Sequence, residues 1–254
     1  MNGCDIWMTH LSMKSWMSAE AWDTYFREIE QIIGDRIVKL DLNDPARRKA
    51  DTKAGEGSFV INFGVHEDSR WVYGKFDKTK IEFEIRHFKT GFDSFGRLCE
   101  NSIQFYIPHR MNFGPDAEKL VRLFALTCQR LGSFFAYADF KDIICSRKPC
   151  TPSLDVSREL LGVFWLTHFG LFYKAYFGNK LEGVPGLTVD PNGGATLQLG
   201  ETPLQVAETT REEIIKQLGS ASFATGGPPK ERGQFALTLQ QLADSPTNPP
   251  SGPR

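Results

Sequence analysis

Two neighbouring segments of the sequence alternate apolar and polar residues: TKIEFEIRH (79–87) and NSIQFYIP (101–108). In the first segment, Ile81, Phe83 and Ile85 share one face, while charged side chains occupy the other. Successive side chains of a strand point to opposite faces of its sheet, and short connections favour antiparallel neighbours. We therefore expect an antiparallel sheet that is packed on one face and wet on the other.

Three other segments have the composition of strands. RIVKLDL (36–42) alternates, whereas SFVINFG (58–64) and RWVYGKF (70–76) are rich in β-branched and aromatic residues. Together with the alternating pair, they place most of the predicted sheet in the first half of the chain.

Helical periodicity precedes and follows these strands. The segment 18–35 carries an apolar stripe, with Ser18 as a plausible N-cap and Gly34 as a plausible C′ residue. A second helix is predicted over 115–132, and the pattern continues through SFFAYADFKDIICS (133–146) after a break. Strands grouped before helices predict an α+β fold rather than alternating α/β.

The stretch LGVFWLTHFGLFYKAYFG (161–178) contains seven aromatic residues and one charge, Lys174. Its uncharged run spans fourteen residues (160–173), which is shorter than the roughly 20 apolar residues of a membrane span. Aromatic residues recur at three- and four-residue steps, so we predict a buried helix over 153–178 with a kink near Gly170. A pocket wall and a set of partner anchors remain alternatives.

The last structured segments are short. LTV (187–189) and ATLQL (195–199) flank DPNGG and predict a small late β-hairpin. TTREEIIKQLG (209–219) predicts a helix in which Thr210 and Glu213 form a capping box. The whole is predicted to be an antiparallel sheet followed by packed helices, with this hairpin late in the chain.

Domain organisation follows from a change in composition. We predict a single α+β domain over 1–220 and a Gly/Pro-rich, flexible C-terminal tail over 221–254. The first sixteen residues lack a basic region followed by an apolar run, so no secretory signal peptide is predicted. Four of the five methionines fall within the first seventeen positions, which suggests that translation begins at Met8, Met13 or Met17.

Charge and motifs exclude several function classes. The net charge of −1 lacks the basic excess of a general nucleic-acid binder, and five widely spaced cysteines do not form a disulfide framework. No Walker loop, G-x-S-x-G or H-E-x-x-H motif occurs. We therefore assign no catalytic residues, no cofactor and no metal site from the sequence. His168, within the aromatic stretch, is interpreted as a buried, hydrogen-bonded or packing histidine.

Several segments together resemble a known family: INFGVHEDSRW, ENSIQFYIP, SFFAYADF, LGVFWLTHFG and VPGLTV with NGGATLQLGETPL. The chain, over about 58–206, resembles the immunity protein 52 family of bacterial polymorphic toxin and type VI secretion systems. The resemblance implies an α+β fold without enzymatic activity. It also implies a cognate toxin, a nuclease of restriction-endonuclease type, and work in the bacterial cytoplasm without direct contact to nucleic acid or membrane.

The favoured hypothesis is an immunity protein that neutralises this toxin by tight, non-catalytic association. Two alternatives stay open: a ligand-binding domain or enzyme with His168 or His109 facing an apolar pocket near 161–178, and a scaffold subunit of a larger assembly. If the toxin is bound electrostatically, the candidate partner-binding residues are charged side chains of the strand loop, the sheet face and the late hairpin. They are Glu67, Asp68, Arg70, Glu82, Glu84, Glu182, Asp190 and Glu201.

Overall fold

The computed structural model describes residues 5–13, 19–41, 69–88, 100–109, 111, 114–147, 156 and 159–224. In these residues nine strands form one antiparallel sheet in the order β2-β3-β4-β5-β1-β6-β7-β9-β8. The α+β prediction is confirmed. The strands are β1 (Ile6–Ser12), β2 (Ile37–Asp41), β3 (Ser69–Phe76), β4 (Glu82–Phe88), β5 (Asn101–Ile107), β6 (Phe135–Phe140), β7 (Leu166–Phe169), β8 (Leu187–Val189) and β9 (Ala195–Gln198).

Five α-helices accompany the sheet in the described part of the chain. The predicted cap of the first is confirmed, because Gly34 has φ +72° and donates its backbone N–H to the Glu30 carbonyl at 2.8 Å. Ser18, its predicted N-cap, lies outside the described residues. The helices are α1 (Ala19–Ile33), α2 (Ala117–Leu131), α3 (Lys141–Arg147), α4 (Leu171–Phe177) and α5 (Glu208–Leu218).

Two hydrophobic cores lie on opposite faces of the sheet. The first joins α1 and α2 to alternate residues of β1 to β6, including Ile6, Phe83 and Phe105. The second lies under the other face and joins α4 and α5 to β1, β6, β7 and β9, with Leu11 and Phe169 among its members. Among the described residues, this second core contains none from β2 to β5. The described helices and loops therefore pack along most of one face of the sheet and along about half of the other.

The N-terminal segment is the main element that sequence patterns did not predict. Strand β1 pairs with β5 on one side and with β6 on the other, in the interior of the sheet. Ile6, Met8 and His10 are fully buried. A chain that began at Met13 or Met17 would lack this strand.

Two predicted helical segments contain strands instead. The predicted break is present, because Gly132 ends α2 in the left-handed conformation (φ 57°). The helical continuation over 133–146 is wrong for its first half, where β6 pairs with β1, and confirmed from Lys141, where α3 begins. The long helix over 153–178 is also wrong: β7 lies between β6 and β9, and a helix begins only at Leu171. A strand that is buried on both faces has no apolar–polar alternation. The aromatic residues of this stretch recur at helix-like steps, and the sequence pattern therefore predicts a helix.

The late hairpin is confirmed, with β8 pairing to β9 in the register Leu187↔Leu197. The capping box at Thr210 and Glu213 is wrong, because α5 begins at Glu208. A capping box does occur between Thr202 and Gln205, at the short 3-10 helix Pro203–Gln205 that precedes α5. The predicted strand 58–64 and almost all of the predicted tail lie outside the described residues, although Phe223 is still packed, stacking on Phe177 at 6.0 Å.

Candidate functional site

The candidate site is the half of the sheet that the second core does not reach among the described residues. Strands β3, β4 and β5 place their apolar residues against α1 and α2, so the intervening residues form the opposite surface. We call this surface the open face. It is made of three cross-strand rows that run Trp71–Arg86–Ser102, Tyr73–Glu84–Gln104 and Lys75–Glu82–Tyr106–Trp7, the last of which ends on β1.

An aromatic pair with an associated cation occupies the β3 side of the open face. Trp71 is 43% exposed, and its ring stacks on Tyr73 at 6.5 Å with an interplanar angle of 17°. The guanidinium of Arg86 lies over the Trp71 ring at 5.4 Å from its centroid. Cation–π contact of this kind restricts both side chains before any partner arrives. Trp71 is thus a large, exposed and already positioned side chain.

A second aromatic pair lies at the β1 side. Trp7 and Tyr106 make an edge-to-face contact with centroids 5.8 Å apart, and Lys141 lies over the Trp7 ring at 5.2 Å. Lys141 opens helix α3, so this pair stands where the open face meets the covered half of the sheet. The two pairs bracket the polar side chains of β4 and β5.

The charged residues between the aromatic pairs are matched within the face. Lys75 forms an ion pair with Glu82 on the neighbouring strand, and the Tyr106 hydroxyl donates a hydrogen bond to Glu84 at 3.1 Å. Exposed pairs of this kind contribute little to stability. They do give the face a mixed rather than an acidic character, which differs from the uniform negative charge that would imitate DNA.

The candidate residues taken from the sequence are distributed over three places. Glu82 and Glu84 lie on the open face. Arg70 is the second residue of β3 and pairs with His87, and its side chain is outside the described set. Glu67 and Asp68 lie outside the described residues.

The other three candidates surround the late hairpin, at the far end of the sheet. Glu182 and Glu201 are exposed. Asp190 is instead turned inward, where its Oδ2 lies 3.0 Å from Nδ1 of His168 and accepts a hydrogen bond from Thr196 at 2.9 Å. The structure therefore does not bring the eight candidates together at one surface.

The aromatic stretch forms a closed core. Trp165 is fully buried, and its indole N–H donates to the Gly200 carbonyl at 3.0 Å. His168 is buried and hydrogen-bonded through both ring nitrogens, as interpreted from the sequence, whereas His109 is exposed beside Asp5. The apolar pocket of the ligand-binding alternative is therefore not found at Trp165.

A surface groove lies in another part of the described structure. A polar groove of about 940 Å³ is lined by the C-terminal end of α1, by β2 and by the turn between β3 and β4. Two of its three acidic lining residues accept backbone hydrogen bonds: Glu30 accepts the Ile37 amide, and Asp35 accepts the amides of Lys78 and Thr79. Across the described residues, no group of three or more His, Cys, Asp or Glu has metal-binding geometry.

Sequence reasoning did not single out the aromatic residues of the open face. Trp71 and Tyr73 occur in RWVYGKF at alternate positions, out of phase with the buried Val72 and Phe76. Tyr106 in NSIQFYIP likewise alternates with the buried residues of its strand. Aromatic residues on the expected wet side of an alternating strand are the signal that would have found this surface.

Comparisons with known proteins add a fold-level likeness. No protein-family model matches the chain, and no curated protein matches it. Among solved structures, the chain is similar to Pseudomonas aeruginosa T6SS protein PA0821, with a TM-score of 0.63 and 16% sequence identity over 94% of this chain and 82% of that chain. At this identity the likeness shows the fold. None of the described helices is long and apolar enough to cross a membrane.

Proposed function

We propose that this protein is an immunity protein that binds a cognate toxin of a type VI secretion system and neutralises it by non-catalytic association. The open face is the observation that carries the proposal. It carries Trp71, which is 43% exposed, with Arg86 over its ring and with Tyr106 and Trp7 on the same side of the sheet. Trp, Tyr and Arg are the residues that dominate the energetics of protein–protein interfaces.

Two further observations support this function. The fold is similar to that of a T6SS protein. The sequence segments that resemble the immunity protein 52 family include INFGVHEDSRW, which contains the start of β3, and ENSIQFYIP, which contains all of β5. The resemblance and the open face therefore point to overlapping parts of the molecule.

The toxin proposed from the resemblance is a nuclease of restriction-endonuclease type, and the site of action is the bacterial cytoplasm. The protein itself needs no catalytic residue or cofactor for this function and contacts neither nucleic acid nor membrane. A self-protecting complex requires a Kd of about 1 nM or below, roughly −12 kcal/mol. Preformed aromatic anchors favour such affinity because little side-chain entropy is lost on binding.

The direct test is affinity capture from the native bacterium with the tagged protein, followed by identification of the bound chains by mass spectrometry. We expect one stoichiometric partner with a nuclease domain. The same partner, expressed in a heterologous bacterium, should arrest growth, and co-expression of this protein should restore it. Growth arrest that co-expression does not relieve would refute the immunity function.

Paired surface variants make the capture informative about the open face. Trp71→Ala should capture less of the partner, whereas Leu204→Ala, which removes a 63% exposed side chain outside the open face, should capture as much as the unmodified protein. Recovery of several non-toxin subunits in constant ratio would instead favour the scaffold alternative.

A further inference from the structure

His168 joins three parts of the fold. It lies in β7 and is 5% exposed. Its Nε2 is 3.0 Å from the carbonyl oxygen of Ser133, just after α2. Its Nδ1 is 3.0 Å from Oδ2 of Asp190 and 3.1 Å from the hydroxyl of Thr196, both on the late hairpin. One imidazole thus bridges the end of α2 and the far edge of the sheet.

The hydrogen-bond inventory decides how many protons this ring carries. A carbonyl oxygen only accepts, so Nε2 donates to Ser133. The single hydroxyl proton of Thr196 is donated to Asp190 at 2.9 Å, which leaves the hydroxyl oxygen as an acceptor toward Nδ1. Nδ1 therefore faces two acceptors, Thr196 and Asp190, and donates as well. Both ring nitrogens bear a proton in this arrangement.

We propose that His168 makes the attachment of the β8–β9 hairpin pH-dependent. When both ring nitrogens are protonated, His168 holds the hairpin to the core, and loss of one proton loosens the hairpin. A neutral ring that keeps its proton on Nε2 would direct the Nδ1 lone pair at the Asp190 carboxylate. That contact is repulsive in a buried site where water does not screen it. Moving the remaining proton to Nδ1 would instead leave the Ser133 carbonyl without its donor.

Charged and titratable groups reach this site from each neighbouring element. Lys174 on α4 donates to the Gly193 carbonyl at 2.8 Å. His10 on β1 and Cys128 on α2 face it from the core side and are fully or almost fully buried. Burial alone would raise the pKa of Asp190, but hydrogen bonding and charge from His168, with Thr196 and Lys174, hold that pKa below its ordinary value. The carboxylate therefore stays ionised while His168 changes its proton count.

The hairpin is the element that should respond. It joins the sheet through four residue pairs between β7 and β9, and β8 forms the outer edge, where Val189 is 65% exposed. The imidazole lies directly against the hairpin backbone, since a Cβ at Gly194 would be 2.7 Å from Cε1 of His168. Loss of the His168 contacts therefore removes one of the side-chain attachments of this hairpin to the interior, beside the bond from Lys174 to Gly193 and the burial of Leu197.

The test is a pH series of amide hydrogen exchange on the unmodified protein, combined with ¹⁵N signals of the His168 ring. We expect protection factors of residues 187–198 to fall by about tenfold per pH unit above the point where His168 loses a proton, as for one linked proton. Protection of α1 should stay constant over the same interval. A His168 ring that carries one proton at every pH of the series would overturn the proposal. Hairpin protection factors that stay constant when His168 loses a proton would overturn it as well.

A pair of variants separates the charge from the packing. In Asp190→Asn the side chain is neutral and can accept from or donate to His168, so the hairpin should stay protected and the pH step should vanish. Glu182→Gln, an exposed neighbouring carboxylate, should keep the step. A pH step that persists in folded Asp190→Asn contradicts the mechanism, and the series on the unmodified protein decides the matter if that variant fails to fold.

Discussion

Arg211 and Asp139 form an ion pair inside the protein. Their side chains are 1% and 0% exposed, and the guanidinium Nη2 is 2.7 Å from Oδ2 of Asp139. The carboxylate also accepts the backbone amides of Trp165 and Phe140, each at 2.8 Å. Burial raises the pKa of Asp139, and the charge of Arg211 opposes that shift. The pair ties α5 to the end of β6, where the second core begins.

Removal of Arg211 should therefore destabilise the protein strongly. Arg211→Met leaves the Asp139 carboxylate buried without its counter-ion, and we expect the free energy of unfolding to fall by about 3–5 kcal/mol. Urea denaturation measures this. The matched control is Arg27→Ala, which breaks the exposed pair with Asp23 and should cost less than about 1 kcal/mol. Equal effects of the two substitutions would show that the buried pair is not structurally important.

His10 is a second buried polar residue, and it lacks a full set of partners. Its Nδ1 lies 3.5 Å from Cys128 Sγ, and its ring centroid is 4.9 Å from that of Phe124. Its Nε2 is buried and has no hydrogen-bond partner among the described residues. Burial lowers the pKa of His10 well below 6.5, and the nearby His168 lowers it further. The native protein therefore keeps His10 neutral at pH values where the unfolded chain protonates it.

This difference predicts an acid-dependent loss of stability. As pH falls below about 6.5, the unfolded state gains a proton at His10 that the native state does not bind, so stability falls by up to about 1.4 kcal/mol per pH unit. His10→Phe, which suits the aromatic surroundings, should give a shallower slope between pH 6.5 and 5. Urea midpoints over that range provide the comparison, and parallel slopes would contradict the assignment.

At the scale of elements, strand β1 determines whether the sheet is continuous. It pairs with β5 over seven residues and with β6 over six. Its side chains also enter both cores, through Met8 on one face and Leu11 on the other. Without it, the strands β2 to β5 and the strands β6 to β9 would have no hydrogen-bonded connection in the described sheet.

Deletion of residues 1–12 should therefore abolish cooperative folding. The truncated chain would expose the facing edges of β5 and β6, and we expect it to aggregate or to lose near-UV circular dichroism. Deletion of 225–254, which the sequence predicts as a flexible tail, is the control and should leave the unfolding midpoint unchanged. A truncated protein with the full-length midpoint would show that β1 is dispensable.

How well the sequence predicts each element depends on its burial. The half-exposed strand β4 and the amphipathic helix α1 leave clear periodicities, and both were predicted from them. Strands β1, β6 and β7 are buried on both faces, so neighbouring strands rather than local periodicity determine their conformation. The acidic residues of β4 were placed correctly on a surface, but cross-strand neighbours such as Trp7 and Tyr106 are separated by about a hundred residues in sequence.

In the whole molecule, one half of the described sheet is packed on both faces, and the other half has one open face. The covered half contains Trp165, Arg211 and His168, which hold the helices and the late hairpin in place. The open half has its apolar residues against α1 and α2 and its aromatic anchors outward. Such a division suits a protein whose function is to present one stable surface to a partner.

The measurement that tests this account most directly is the affinity of the captured, catalytically inactivated toxin for three forms of the protein. The unmodified protein should bind with a Kd of about 1 nM or below. Trp71→Ala should weaken binding by at least about 30-fold, the effect of a 2 kcal/mol hot spot, while Leu204→Ala should bind as the unmodified protein does. Equal affinities for all three forms would place the toxin interface elsewhere and contradict the role of the open face.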